Sequence, residues 1–256
     1  MNRILAFSYG IFSYVMFLAT LLYAIAFIGN VAVAQTIDGE PHRPLGQALL
    51  INLLVLGIFA IQHSVMARPG FKRWWIKFVP KPIERSTYVL FSSAALLLLF
   101  HAWQPMGGVL WDVQHPVGRA VLYGLFAGGW LLVLVATFLI NHFDLFGLRQ
   151  VWLYLREENY TPLVFKTPGL YRYIRHPLYV GWLFTFWATP TMTAAHLVFA
   201  LATTAYILIA IRFEERDLVG VHGQAYAEYR KRVPMLVPNF SRSVTAEMQP
   251  RSASVL

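Results

Sequence analysis

Two arginines, a histidine, a proline and tyrosines crowd into RYIRHPLYVGW, residues 172–182, and an acidic pair sits among arginines in RFEERDL, residues 212–218. Guanidinium groups grip carboxylates in two-pronged fashion, and imidazole exchanges protons near neutrality. Such a set can hold a small polar or zwitterionic ligand. In the first stretch, Gly169 supplies a tight turn, and Pro177 suits the opening turn of a helix, where its missing N–H goes unneeded. The amides ahead of that helix, with its positive end, make a place for an anionic group, ringed by Tyr171, Arg172, Arg175, His176 and Tyr179. In the second stretch, Glu214 and Glu215 follow a continuous apolar run, where an acidic pair is expensive without partners. Arg212 and Arg216 are four apart and share a helical face, with Glu215 three beyond Arg212; further on, Tyr226 and Tyr229 share a face of an amphipathic helix. A third set, NHFDLFGLRQVW at residues 141–152, offers His142 and Asp144. Two apart, these would not share a face of a continuing helix but converge at a fraying end, where His142 would accept a proton. Plainer readings exist for each set: snorkelling arginines with interface tyrosines, intrahelical ion pairs on an interfacial helix, and end caps at 141 and 142. They account for the charges, but not for an amphipathic helix following the RHP segment at hairpin distance.

The elements that must position these groups are membrane helices. Of the 256 residues, 57% are hydrophobic and 13% charged, where a soluble domain would carry about twice that charged fraction. Apolar segments run over about 4–28, 45–66, 86–103, 117–140, 178–190 and 193–211, most reaching the roughly 20 residues that a crossing needs. The expected fold is an all-α, polytopic integral membrane protein with five or six transmembrane helices and a cytoplasmic C-terminal cofactor-binding region. The fifth segment is short for a crossing, and TPTMT between the last two reads as the turn of a tight helical hairpin. The first run, Ile4 to Ala34, is too long for a signal peptide and reads as a retained helix.

There are no cysteines, hence no disulfide, thiolate metal site or cysteine nucleophile, and no metal is expected. A net charge of +9 raises nucleic acid as a partner in soluble proteins; here it is better read as loop charge against membrane lipids. Residues 67–85 carry Arg68, Lys72, Arg73, Lys77, Lys81 and Arg85, residues 141–177 carry five further cations, and residues 104–116 carry none. The positive-inside rule puts both termini and the basic loops in the cytoplasm, most simply of a bacterial inner membrane. The expected organisation is helices over 1–140, a catalytic region over 141–240 and a disordered polar tail over 241–256.

The order RHPxYxG, apolar hairpin, EExxL, GxxYxxY resembles membrane methyltransferases typified by isoprenylcysteine carboxyl methyltransferase and the phospholipid N-methyltransferases. It reads here as Arg175-His176-Pro177-Leu178-Tyr179-Val180-Gly181, then Glu214-Glu215-Arg216-Asp217-Leu218, Gly223-Gln224-Ala225-Tyr226 and Tyr229. The resemblance covers roughly residues 165–238 and implies that this region closes over S-adenosylmethionine. Arginine would hold the donor's carboxylate, glutamate its ammonium or ribose, tyrosine faces its sulfonium, and His176 the adenine edge. With IQHSVMARPGFKRWW at 61–75, ERSTYVLFSSAALLLLFHAWQP at 84–105 and NHFDLFGLRQ, the chain looks like the methanethiol S-methyltransferases. That implies a small thiol as acceptor, with His142 and Asp144 as the catalytic pair aiding its deprotonation. Gln62, His63, Glu84 and Arg85 are further candidates, and Trp182, Phe184 and Trp187 are possible pocket walls. Competing readings are a lipid or prenylcysteine methyltransferase with the same donor site, a non-catalytic membrane component, and a sterol-type reductase.

Overall fold

A computed structural model describes residues 1–238, so the tail expected over 241–256 lies outside the described residues. In chain order the elements are α1 (Arg3–Gly29), α2 (Leu45–Ala67), α3 (Pro69–Trp75), α4 (Glu84–Ala102), β1 (Val109–Asp112), α5 (Pro116–Ile140), α6 (His142–Leu145) and α7 (Leu148–Leu155). There follow α8 (Pro177–Trp187), β2 (Thr191–Thr193), α9 (Ala194–His222) and α10 (Gln224–Arg232). Helices α1, α2, α4, α5 and α9 are long and apolar enough to cross a membrane. Only 22–44% of each apolar window is buried in the protein, so most of that surface faces outward, as a lipid solvent permits. The chain is an integral membrane protein.

Local chemistry sets the helix ends. The Asn2 side chain accepts from the Ile4 amide, and Asn30, at φ 55°, closes α1 in the left-handed region with its amide on the Ala26 carbonyl. Pro69, Pro116 and Pro177 occupy first turns, where no amide is needed. At the end of α5, Asn141 turns extended and its side chain accepts from the Asp144 amide, opening α6.

Helix α1 packs on α4 and α7, α2 on α4 and α9, and α5 on α8. The side of the helix layer where the chain begins, tied by the Tyr154 hydroxyl to the Met1 carbonyl, also holds α3, α6, α7 and α10. At the opposite side Trp103, Phe27, Phe100, Phe186 and Phe199 form a buried aromatic core, and the Trp103 indole N–H donates to the Ile37 carbonyl.

The fifth apolar segment, 178–190, is not a helical crossing. Helix α8 has 11 residues, about 16 Å at 1.5 Å per residue and half the hydrocarbon thickness. Its Gly181 lies against the middle of α5: a Cβ there would stand 2.8 Å from the Gly129 carbonyl, and one at Gly129 would stand 2.8 Å from the Gly181 carbonyl. Beyond Trp187 the chain continues extended, and β2 pairs antiparallel with β1, Val109 opposite Thr193 and Asp112 opposite Thr191. The expected TPTMT hairpin turn is therefore this strand and its approach. Its backbone is satisfied by the ribbon, by Val113 N–H on the Pro190 carbonyl and by the Thr189 hydroxyl on the Thr191 carbonyl.

The α5–α8 contact predicts that Gly181→Val lowers stability by about 1–3 kcal/mol through overpacking, read as a fall in detergent melting temperature. Gly124→Ala, where nothing lies within 4 Å of the added carbon, changes it by no more than about 0.5 kcal/mol.

Candidate functional site

Where α8 begins and α9 loses its apolar character, four charged or titratable side chains meet. Arg175 Nε donates to Glu215 Oε1 at 2.7 Å, and His176 Nε2 lies 3.1 Å from the same oxygen. The Arg175 and Glu215 side chains are only 11% and 10% exposed, so this pair is buried. Arg175 Nη1 also donates to the Arg230 and Val233 carbonyls at 2.6 and 2.7 Å. The amides of Arg175 and His176 donate to the Pro234 and Met235 carbonyls. One guanidinium thus binds α8 to α9 and to the chain leaving α10.

Glu214 points the other way. One of its oxygens accepts from the Tyr179 hydroxyl at 2.8 Å, and its side chain is 42% exposed. Tyr229 donates to the Tyr171 carbonyl at 2.6 Å, and Tyr226, Tyr229 and Val233 pack with Phe165 and Leu218. Burial, and then the charge of the two glutamates, pushes the Tyr226 hydroxyl up; burial and then Glu214 do the same to Tyr171. Both stay neutral hydrogen-bonding phenols. The structure thus gathers Tyr171, Arg175, His176, Pro177, Tyr179, Glu214, Glu215, Tyr226 and Tyr229 around one junction. Gly181 faces α5, and Arg212 stands exposed on α9 without an ion-pair partner among the described residues.

The third set divides. His142 is buried and stacks on Phe138 at 4.2 Å. Its Nε2 lies 2.8 Å from the Tyr14 hydroxyl and its Nδ1 2.9 Å from Thr137 Oγ1. Thr137 donates its proton to the Leu134 carbonyl, which assigns the ring hydrogen to Nδ1 and leaves Nε2 accepting from Tyr14. Asp144 instead binds Arg149 at 2.8 Å and accepts from Tyr160. The two do not converge as the sequence reading expects, because Asn141 ends α5 and each finds a closer partner. Beside them an apolar groove of about 450 Å³ is lined by Phe7, Ile11, Asn141, Phe143, Leu148, Arg149 and Trp152, and His142 is not among its walls.

A fourth cluster joins α2, α4 and α9, and of its members sequence reasoning reached only Gln62, His63 and Arg85. The Tyr88 hydroxyl lies 3.0–3.1 Å from the His63 ring nitrogens, and Ser92 Oγ lies 3.2 Å from Nδ1. Ser64 meets Tyr206 at 3.1 Å, Arg68 meets Asp217 at 2.9 Å, and Arg85 sits over the Tyr88 ring at 4.9 Å. Tyr206 and Tyr88 are within electrostatic reach of Tyr179, which links this cluster to Glu214. The signal for it was the i, i+4 spacing of Tyr88 and Ser92, polar positions on one face of an apolar helix. Among the described residues no group of three or more His, Cys, Asp or Glu is placed to hold a metal ion.

The sequence is 58% identical over 238 residues to a methanethiol S-methyltransferase of Crocosphaera subtropica, covering 93% of each chain. It is 55% identical to one of Mycobacterium tuberculosis, covering 93% of this chain and 98% of that one. Nurim of Rattus norvegicus is 31% identical over 69% of this chain and 70% of its own. No family model and no solved structure matches the chain.

Two outcomes follow from this geometry. Arg175→Ala leaves Glu215 buried without its main partner and costs about 3–5 kcal/mol, with faster hydrogen exchange over residues 230–235 as the local signature. Burial holds the His142 imidazole below its ordinary range, so the unfolded chain binds its proton first. Its contribution is fully present above about pH 6.5 and is lost as pH falls below that value toward the folded-state pKa. His142→Gln should therefore flatten the slope of melting temperature against pH on the acid side of 6.5.

Proposed function

Because the chain belongs to the family of the methanethiol S-methyltransferases, we propose that it methylates the sulfur of methanethiol, giving dimethyl sulfide, with S-adenosylmethionine as the donor. The observation that carries this is identity of 58% across 93% of both chains. The structural support is the junction of α8, α9 and α10 as the donor site, within a donor-binding region that spans residues 141–240.

The residues present suit that donor. It carries an ammonium, a carboxylate, ribose hydroxyls, adenine and a sulfonium. Glu214 commits one oxygen to Tyr179 and keeps an exposed carboxylate edge, which suits the ammonium or the ribose. Arg212, exposed and without an ion pair among the described residues, offers a guanidinium to the carboxylate. The neutral tyrosine faces favour a neighbouring cation, and His176 with its adjoining backbone suits the adenine edge. Arg175 and Glu215, spent on each other and on carbonyls, hold these groups in place. When bound, the donor supplies an electrophilic methyl group and leaves as S-adenosylhomocysteine after the acceptor sulfur takes it. The protein's part is to align sulfur and methyl group and keep water away. Basic loops on this side support a cytoplasmic donor site, at the inner membrane of a bacterium.

The test is purified protein in detergent with S-adenosylmethionine and a panel of methanethiol, a prenylcysteine and a phospholipid, assayed for S-adenosylhomocysteine and headspace sulfides. Dimethyl sulfide formed from methanethiol, with neither other acceptor turned over, is the expected result; methylated prenylcysteine or lipid would replace the acceptor. Glu214→Gln and His176→Ala should each weaken donor binding about tenfold or more by calorimetry, about 1.4 kcal/mol, with a smaller change in the methanethiol KM.

A further inference from the structure

Building on the S-methyltransferase reading, we propose that His63 takes the proton from the acceptor thiol. A thiolate is the competent nucleophile, and an unperturbed small thiol is mostly protonated at neutral pH. A base next to the donor site is therefore needed. Four histidines lie on the α8-start side of the helix layer, of which His222, at the end of α9, packs on Phe165 beside Tyr226 and Tyr229. His176 is committed to Glu215. His142 has one nitrogen holding Thr137 and the other accepting from Tyr14, and it is walled off from the apolar groove beside it. It would have to lose an existing bond to gain a proton.

His63 is likewise bonded to hydroxyls, but it lies in the cluster that joins α2, α4 and α9. The residue is half-buried, and among the described residues its ring nitrogens meet the hydroxyls of Tyr88 and Ser92. A hydroxyl can donate or accept, so either nitrogen can present its lone pair while the other keeps a partner. Phe59, 5.2 Å from the imidazole and 6.2 Å from Tyr206, adds the apolar surface that a one-carbon thiol can use. Arg85 and Arg68 are the charged neighbours of the ring; their positive charge favours thiolate over thiol and also disfavours imidazolium, so the proton must be passed on from the ring rather than held there. The neighbouring Ser64 bonds to Tyr206, which is within electrostatic reach of Tyr179 and Glu214. The cluster therefore borders the donor site and does not stand apart from it.

The step balances. The S–H bond breaks, its electron pair stays on sulfur, and the proton passes to a ring nitrogen of His63, whose other nitrogen donates to Tyr88 or Ser92. The thiolate's negative charge offsets the donor's positive charge when the methyl group moves. The proton then leaves His63 for water, one for each thioether formed.

The experiment compares wild type with His63→Gln and His63→Asn, with donor affinity measured separately by calorimetry. Both variants should bind donor normally, lose about a hundredfold or more in kcat/KM for methanethiol, and regain activity as pH rises toward the thiol's own ionisation. Methaneselenol, already ionised at neutral pH, should remain a near-normal acceptor. Without turnover, in the complex with S-adenosylhomocysteine, the thiolate absorbance of bound methanethiol should titrate at higher pH in the variants. The titration is read against the groups that face His63: Arg68 with Asp217, Lys72, Arg85, Tyr88 and Tyr206. Unchanged kcat/KM and pH profile would overturn the proposal. So would equal losses with thiol and selenol, or loss of donor binding in both variants, which would make His63 a structural residue. Wild-type protein that binds donor but methylates no thiol would strike the S-methyltransferase reading instead.

Discussion

Glu215 sets the terms for the rest of the molecule. It ends the apolar course of a 29-residue helix and its side chain is nearly buried. An unpaired carboxylate there would cost several kcal/mol. Arg175 and His176 meet it, and that obliges α8 to begin beside α9. Helix α8 must then start deep against α5, where only Gly129 and Gly181 let the two backbones approach. From that start 11 residues cannot complete the crossing. The remainder has to be extended chain, and extended chain needs the β1 ribbon to satisfy its polar groups. One ion pair thus accounts for a short helix, a glycine contact and a strand far from it.

The neighbouring glutamate shows the other half of the arrangement. A one-residue step along α9 turns Glu214 by about 100° from Glu215, away from Arg175 and toward Tyr179 and the open side. One carboxylate builds the junction, and the next remains free to recognise a ligand. The guanidiniums divide in the same way, with Arg175 spent on the fold and Arg212 left exposed.

Much of this was legible in the chain. Helices α1, α2, α4 and α5 lie where hydropathy puts them, within a few residues at either end, while α9 begins as read but runs on to His222, past the apolar stretch that ends near 211. That Glu214 and Glu215 need partners followed from the cost of acid at an apolar helix end; that the RHP segment lies against them was what the family resemblance implied. What was not legible depends on partners remote in sequence. Hydropathy cannot say that residues 178–190 stop being helical at Trp187, since that limit comes from the Gly129–Gly181 contact. Residues 109–112 carry no strand signal without knowledge that Thr191–Thr193 would lie alongside. His142 and Asp144 looked like a pair only because they are close in sequence; Tyr14 and Arg149 are closer in space. The cluster of Tyr88, Ser92 and Tyr206 around His63 was hidden for the same reason, its members being polar residues spread over the apolar helices α4, α9 and α2.

The depth of α8 gives the polar junction a physical purpose. A helix whose fifth residue, Gly181, already lies against the middle of α5 places its first turn below the membrane surface. Charges there are expensive unless paired; nearly buried Arg175 pairs with Glu215, and half-buried Arg68 with Asp217. A one-carbon thiol is small and apolar and partitions toward the bilayer, whereas a charged sulfonium donor does not. On the proposed S-adenosylmethionine-dependent reaction, a site that brings the two into contact belongs where polar groups can be held within an apolar surround. The ion pairs are what allow Glu214, Tyr179 and the His63 cluster to sit at that depth.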